Sequence, residues 1–140
     1  MEPHEFWQEL HSPVSPAPDN GYAGAFPASL SDGRQLLVPI RPLPNGVHAL
    51  ASLIVNQASF TVIDALATDV AGHLAPLKPE IIVGLPTLGL TLAAEVARKL
   101  GHSRYVPLGT SRKFWYDESL SAPLSSITTP GQDKRLYIDP

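Results

Sequence analysis

The pattern with the clearest chemistry in this sequence is the stretch IIVGLPTLGLT, which spans residues 81–91. Four residues separate Gly84 from Gly89, and Thr91 follows two positions later. This G-x-x-x-x-G-x-T spacing matches the loop that binds phosphate in P-loop nucleotide hydrolases through its backbone N–H groups. Leu90 stands where that motif has a lysine, so a P-loop hydrolase is disfavoured. The spacing still predicts an anion site built from backbone groups.

Such a loop needs a strand before it and a helix after it, and the flanking sequence predicts both. Residues 81–83 are apolar and β-branched, which is typical of a central parallel strand covered by helices on either side. The residues after the loop predict a helix capped by Thr87 and closed by Gly101. Its buried stripe is predicted to be Ala93, Val96, Ala97 and Leu100. Residues 104–109, RYVPLG, predict the next strand, so the segment reads as a βαβ unit.

The composition of the loop has two interpretations. Gly84 and Gly89 lack a Cβ and would let the main chain come close to a ligand, while Pro86 stiffens the backbone between them. Because a helix N-terminus attracts negative charge, phosphate would bind there. The alternative is that the two glycines and the proline only form a tight turn between strand and helix.

Two cations directly after the second strand favour the anion site. Arg112 and Lys113 lie in GTSRKFWYDE, at the predicted carboxyl end of that strand. Ligands of open α/β sheets bind outside the carboxyl ends of the strands, so this pair would face the glycine loop. The alternative is a solvated basic pair without a ligand. The aromatic residues 114–116 are interpreted as partial core or as a loop anchor rather than as a base-stacking platform.

The first sixty residues predict an arm and a hairpin. Residues 1–20 contain SPVSPAPDN, whose prolines oppose both helix and sheet, so an extended arm is expected. Residues 22–40 predict a β-hairpin that turns at Asp32-Gly33. Periodicity does not decide whether residues 50–55 form a third strand or lead into a helix.

An amphipathic helix follows, capped by Asn56 or Ser59 and stopped by Pro76. The residues at helical spacing, expected on its buried face, are Phe60, Ile63, Ala67, Val70 and Leu74. Residues 110–140 are rich in Ser, Thr, Pro and charge, which predicts a long loop. The fold class expected from all these elements is α/β.

Composition limits the classes of function. The chain has 140 residues, enough for one domain, and its net charge of −3 gives no broad attraction to nucleic acid or to anionic membranes. It has no cysteine, which fits a cytoplasmic protein, and no apolar segment typical of a secretory signal or a membrane span. Its five histidines lack the paired spacing of metal ligands. No nucleophile motif or catalytic triad is visible, so no catalytic residue is assigned.

Residues 48–140 resemble the type I phosphoribosyltransferases, such as the adenine and xanthine salvage enzymes. The pyrophosphate loop of that family and its helix are similar to IIVGLPTLGLTLAAEVARKLG. The next strand of the family, with its cations, is similar to YVPLGTSRKFWY. The flexible hood over the active site is similar to LSSITTPGQDKRLYIDP. The pyrophosphate-binding residues that this resemblance implies are Gly84, Leu85, Pro86, Thr87, Leu88, Gly89, Arg112 and Lys113. The hood residues that it implies are Ser126, Thr128, Lys134 and Tyr137.

The resemblance also implies the reaction and its partners. The family transfers phosphoribose from phosphoribosyl pyrophosphate to a nucleobase in nucleotide salvage, here purine metabolism, with Mg²⁺ bound to the phosphoribosyl pyrophosphate rather than to a protein metal site. Thr87 and Leu88 would flank the strained, often cis, peptide of the loop. A homodimer is one alternative for the oligomeric state, and the acceptor base is not readable from the sequence.

One family signature is absent from the sequence. Phosphoribosyltransferases carry two adjacent acidic residues at the end of a later strand, followed by a loop that binds the 5-phosphate. The pair Asp117-Glu118 follows an aromatic loop instead. The expectation is therefore an incomplete doubly wound parallel sheet, with an N-terminal β-hairpin and a hood-like C-terminal loop.

The expected domains are an arm at 1–20 and a phosphoribosyltransferase-like domain at 21–140 that is truncated at its C-terminus. We expect such a chain, a truncated product or a gene fragment, to be inactive on its own. The alternative is a non-catalytic module that binds phosphate or a nucleotide.

Overall fold

The computed structural model describes residues 2–13, 18–125, 131 and 134–139. The predicted hood residues Ser126 and Thr128 lie outside these described residues. Seven strands and two α-helices are described, with short 3₁₀ turns between them. No helix within the described ranges is both long and apolar enough to cross a bilayer. The mixture of helices with a parallel strand pair confirms the α/β class.

The predicted N-terminal hairpin is present. Strand β1 (Ala25–Ser29) pairs antiparallel with β2 (Gln35–Pro42), and Ser29 lies opposite Gln35. Gly33 adopts φ +88° in the turn, a conformation that favours glycine because it has no Cβ. Only Gly33 of the predicted pair has a positive φ, and residues 30–34 lie between the paired ends Ser29 and Gln35. The hairpin prediction is therefore confirmed, whereas the prediction that both Asp32 and Gly33 form a tight turn with positive φ is wrong.

The sequence did not decide whether residues 50–55 form a third strand or lead into a helix, and the structure shows some of each. Strand β3 (Ala49–Ala51) pairs antiparallel with β2 and completes a three-stranded sheet in the order β1-β2-β3. A 3₁₀ turn, Val55–Gln57, then leads towards the first helix.

Helix α1 (Phe60–Leu74) begins and ends where the sequence predicts. The Ser59 hydroxyl caps it by accepting a 3.2 Å hydrogen bond from the Val62 N–H. A 3₁₀ turn that contains Pro76 follows its last residue. The prediction that Phe60 is buried is wrong, because this side chain is 89% exposed. Phe60 is the first residue of the helix, and its side chain is left largely in solvent. The buried residues of the helix are Val62, Ile63, Ala65, Ala67 and Ala71.

The predicted βαβ unit is also present. Strands β4 (Val83–Gly84) and β5 (Val106–Pro107) are parallel, and the crossover between them contains α2 (Leu88–Lys99). Gly101 follows the helix with φ +82° and donates its N–H to the Arg98 carbonyl. The strands are shorter than the predicted runs, but their order and direction are as expected.

Within the described residues, helices cover only one face of β4. Ile82 packs against a core cluster contributed by α1 and α2. Ile81 and Val83, on the opposite face, are 55% and 43% exposed. Both helices lie on the Ile82 side because α1 packs against α2 instead of crossing to the other face of the sheet. The doubly wound arrangement therefore stays a prediction.

Two core clusters share α1. The first joins α1 to the N-terminal sheet through Trp7, Leu30, Leu36, Val38, Val62 and Ala65. The second joins it to α2 through Ala67, Ala71 and Val96.

The described part of residues 1–20 differs from the extended arm that was expected. Residues 3–7 form turns, and Trp7 is only 3% exposed. Its indole Nε1–H donates a hydrogen bond to the Ser52 carbonyl at 3.2 Å. The segment folds back because the burial of a large aromatic ring outweighs the extended preference of the neighbouring prolines. The boundary of the domain stays a prediction.

The segment that was expected to be a long loop contains a second hairpin. Strand β6 (Ser121–Leu124) pairs antiparallel with β7 (Lys134–Tyr137). Tyr137 exchanges backbone hydrogen bonds with Gly109, at 2.8 and 3.0 Å, so the hairpin is held to the chain that leaves β5. The hood role of this segment stays a prediction.

Candidate anion-binding site

The register of the parallel strands β4 and β5 brings the glycine loop and the segment with Arg112 and Lys113 to the same edge of the sheet. Val83 lies opposite Val106 and Gly84 lies opposite Pro107. The Leu108 N–H donates to the Gly84 carbonyl at 2.8 Å, so the strands stay paired up to the start of the loop. Residues 85–89 and residues 108–113 therefore leave the sheet at the same carboxyl edge, as the sequence predicts.

The loop ends at a helix N-terminus whose N–H groups lack a side-chain cap. Thr87 is the N-cap of α2, but its hydroxyl accepts no hydrogen bond from the first turn. The first N–H groups of a helix have no partner within the helix, and they carry its positive dipole end. Such N–H groups are of the kind that could donate hydrogen bonds to an anion. The cis peptide of the loop joins Pro86 to Thr87, one bond before the position that the family resemblance implied.

The two loop glycines have different roles. Gly84 is buried, and a Cβ built on it would lie 3.0 Å from the Tyr105 ring and 3.1 Å from the Ala93 Cβ. The absence of a side chain at Gly84 therefore lets helix and strand pack closely. The sequence had instead predicted that Gly84 lets the main chain approach a ligand. A Cβ at Gly89 would meet only the Leu85 Cβ, at an ordinary 3.7 Å. The open side of Gly89 is the part of the loop that a ligand can approach.

The two cations differ in their pairing. Arg112 makes an ion pair with Glu118, at 2.8 Å between Nε and Oε1, and both side chains are more than half exposed. Part of its charge is thereby neutralised. Lys113 is exposed and makes no ion pair within the described part of the chain. Lys113 is therefore the cation more readily available to an anion.

The other residues that the sequence singled out lie on or near the C-terminal hairpin. Lys134 is exposed at the start of β7, whereas Tyr137 is buried and its ring centroid lies 5.9 Å from that of Tyr116. Phe114 is almost fully exposed and so is not core. Trp115 acts as a loop anchor, because its Nε1–H donates to the Asp139 carboxylate at 3.2 Å.

Asn56 contacts the loop, although the sequence identified it only as a candidate helix cap. Its Nδ2 donates to the Thr87 carbonyl at 3.4 Å, and its Oδ1 accepts from the Thr91 hydroxyl at 2.8 Å. These contacts span 31 and 35 positions of the chain. No local pattern signals a pairing at that distance.

A wide groove borders the loop. Its volume is about 990 Å³, and Leu88 contributes to its wall. The other lining residues are Arg41, Leu43, Pro44, Asn45, Leu50, Ala51, Ser52, Leu53 and Ile54. Most of this lining is apolar, and the Arg41 side chain adds a cation. The groove is thus suited to a ligand with apolar surface beside the loop.

The described residues do not provide a resident metal site. Among them, no group of three or more His, Cys, Asp or Glu residues is arranged to hold a metal ion. They therefore do not fit a Mg²⁺ ion bound by protein side chains, and we derive no step through a metal. Mg²⁺ brought by phosphoribosyl pyrophosphate stays an expectation of the family resemblance.

A second depression, of about 540 Å³, lies between the β1–β2 turn and α1 and brings Ser31, Asp69 and His73 together. The Ser31 hydroxyl lies 3.0 Å from His73 Nε2, and Asp69 lies 3.8 Å from the same nitrogen. A catalytic triad needs the carboxylate on the other ring nitrogen, so this arrangement is not one. Hydrogen bonds from Ser31, first from its side chain and then from its backbone, lower the pKa of Asp69.

Comparison with known proteins identifies the family to which this chain belongs. No curated protein matched the chain. A family model described as a phosphoribosyl transferase domain matches residues 51–138, which include α1, the whole βαβ unit and the C-terminal hairpin. The match covers more than half of the 140 residues. The chain therefore belongs to the phosphoribosyl transferase domain family.

Proposed function

We propose that this chain binds the pyrophosphate group of phosphoribosyl pyrophosphate at residues 84–89. The observation that carries the proposal is the parallel register of β4 and β5, which brings the glycine loop and the Arg112-Lys113 segment to the same sheet edge. The uncapped first turn of α2 adds N–H donors at that edge. Family membership supports phosphoribosyl transfer as the general reaction.

The proposed reaction breaks the bond between C1 of the ribose and the pyrophosphate oxygen, and forms a bond from C1 to a nitrogen of a nucleobase. Negative charge collects on the departing pyrophosphate as the bond breaks. N–H groups of the loop and the Lys113 ammonium would stabilise that charge, because donors fixed in place need no reorganisation during the reaction. The proposed setting is nucleotide salvage in the cytoplasm, with a purine as acceptor.

The acceptor base is proposed to lie in the groove between β2, β3 and Leu88. The groove adjoins the loop through Leu88, and a planar base would bury its faces against the apolar lining. Arg41 borders this groove, and within the described part of the chain its side chain donates only a long 3.4 Å hydrogen bond, to Ser52. Its guanidinium is thus available for a polar edge of the base.

A non-catalytic phosphate- or nucleotide-binding module is the second candidate. The observation that favours it is in the sequence, where no adjacent acidic pair follows an apolar run. The anion loop would then bind its ligand without turnover.

Two measurements separate these functions. Calorimetry with pyrophosphate tests the site, and transfer of labelled phosphoribose to a panel of bases tests catalysis. Binding with transfer supports the enzyme, and binding without transfer supports the module. No binding of pyrophosphate or of phosphoribosyl pyrophosphate would contradict the assignment of the loop.

A further inference from the structure

We propose that Asn56 is a positioning residue for the anion loop, an inference that rests on the proposed function of that loop. Asn56 lies in the 3₁₀ turn between β3 and α1, far from the loop in the sequence. Its side chain nevertheless bridges Thr87, the N-cap of α2, and Thr91 in the first turn of that helix. It therefore joins the end of the loop to the start of the helix whose N–H groups would bind the anion.

The orientation of the Asn56 amide follows from the chemistry of its partners. The Thr87 carbonyl can only accept a hydrogen bond, so the Nδ2 group of Asn56 must face it. The Oδ1 atom is then left to accept from Thr91, whose hydroxyl can donate. Both contacts are thus satisfied by one orientation, and an aspartate could not replace the Nδ2 donor.

The backbone turn that carries Asn56 is fixed by a buried neighbour and by hydrogen bonds. Val55, the preceding residue, is buried, and the turn is closed by hydrogen bonds from the Gln57 and Ala58 N–H groups to the carbonyls of Ile54 and Val55. The Gln8 side chain also donates to the Gln57 carbonyl at 2.8 Å. A short side chain on a fixed backbone loses little conformational entropy when it bonds to the loop. Asn56 can therefore fix the directions in which the loop N–H groups point.

The test compares Asn56→Ala, Asn56→Asp and Thr91→Val with Gln57→Ala, an exposed position in the same turn. Pyrophosphate affinity is measured by calorimetry, and Tm by thermal unfolding. We expect Asn56→Ala to weaken binding about three- to tenfold, the range for loss of one or two neutral hydrogen bonds. Asn56→Asp should weaken it further, since a carboxylate would face both the Thr87 carbonyl and the bound anion. Gln57→Ala should bind as the wild type does.

A double variant distinguishes positioning from a general loss of stability. If Asn56 acts through Thr91, then Asn56→Ala should cost less affinity in the Thr91→Val background than in the wild type. A lower Tm with unchanged affinity would show a merely structural role and overturn the proposal. Equal affinity and Tm in all the variants would overturn it as well. Absence of binding by the wild type would contradict the proposed function itself, so the two failures are distinguishable.

Discussion

Tyr105 closes the space above Gly84, since its ring would lie 3.0 Å from a Cβ at that position. The contact joins the residue before β5 to the last residue of β4, and Ala93 of α2 closes the other side at 3.1 Å. Helix α2, strand β4 and the Tyr105 ring thus pack closely together at Gly84, because glycine has no Cβ. The first glycine of the loop is consequently a packing residue.

Gly84→Ala should destabilise the fold by about 1–3 kcal/mol, the usual cost of overpacking. Gly89→Ala is the matched control: its Cβ fits, and alanine favours a helix, so stability should be unchanged or higher by up to about 1 kcal/mol. Urea unfolding of both variants measures the difference. Equal stability of the two would show that strand and helix separate easily at Gly84.

Gly89→Val should weaken pyrophosphate binding because its branched side chain would occupy the open side of the loop. Gly72→Val, at an exposed helical position with open space around it, is the control. Calorimetry gives both affinities, and circular dichroism confirms that both variants fold. Equal affinity in the Gly89 variant and the wild type would place the anion elsewhere.

The pair Arg112 and Lys113 should assist the loop electrostatically. Changing both to alanine should reduce pyrophosphate affinity most at low salt, because exposed charges are screened beyond about 8 Å at physiological ionic strength. Glu118→Gln should increase affinity, since it releases Arg112 from its 2.8 Å ion pair. Titrations at two salt concentrations measure both effects. A loss that does not depend on salt would indicate misfolding of the double variant.

Asp69 should make stability depend on pH in the acidic range. Its pKa is lowered in the folded state by the hydrogen bonds from Ser31, one of them 2.7 Å long from the Ser31 N–H. A depressed pKa stabilises the fold above the unfolded value, near 3.9, and this contribution is lost as pH falls through the folded value. Asp69→Asn should therefore flatten the fall in urea midpoint below about pH 4. Asp19→Asn, at an exposed position, should leave the slope of the wild type unchanged.

Strand β4, an edge strand with exposed apolar side chains, should promote self-association. Within the described residues β4 pairs only with β5, so its other edge is open, and apolar edge strands are templates for pairing with another chain. Val83→Lys should shift the chain towards monomer in sedimentation velocity without lowering Tm. Val47→Lys, an exposed position outside the sheet, is the control. Identical sedimentation of Val83→Lys and the wild type would mean that this edge makes no contact.

The sequence by itself determined the local elements of this protein and their order. Gly33 marked the hairpin turn, Ser59 and Pro76 bounded α1, and the glycine loop between two apolar runs specified the βαβ unit. Each of these signals acts over a few residues, through turn chemistry, capping or periodicity. Such short-range signals can be interpreted without knowledge of the rest of the fold.

Only the tertiary structure decided which neighbours these residues meet. It assigned Gly84 to packing against Tyr105, placed Asn56 on the loop and buried Trp7 in the first core. It also put α1 and α2 on the same side of β4, which left Ile81 and Val83 exposed. These outcomes depend on contacts between residues that are far apart in the chain or across a helix and a strand. A periodic pattern shows that a residue can be buried, but the partner that buries it is chosen by packing.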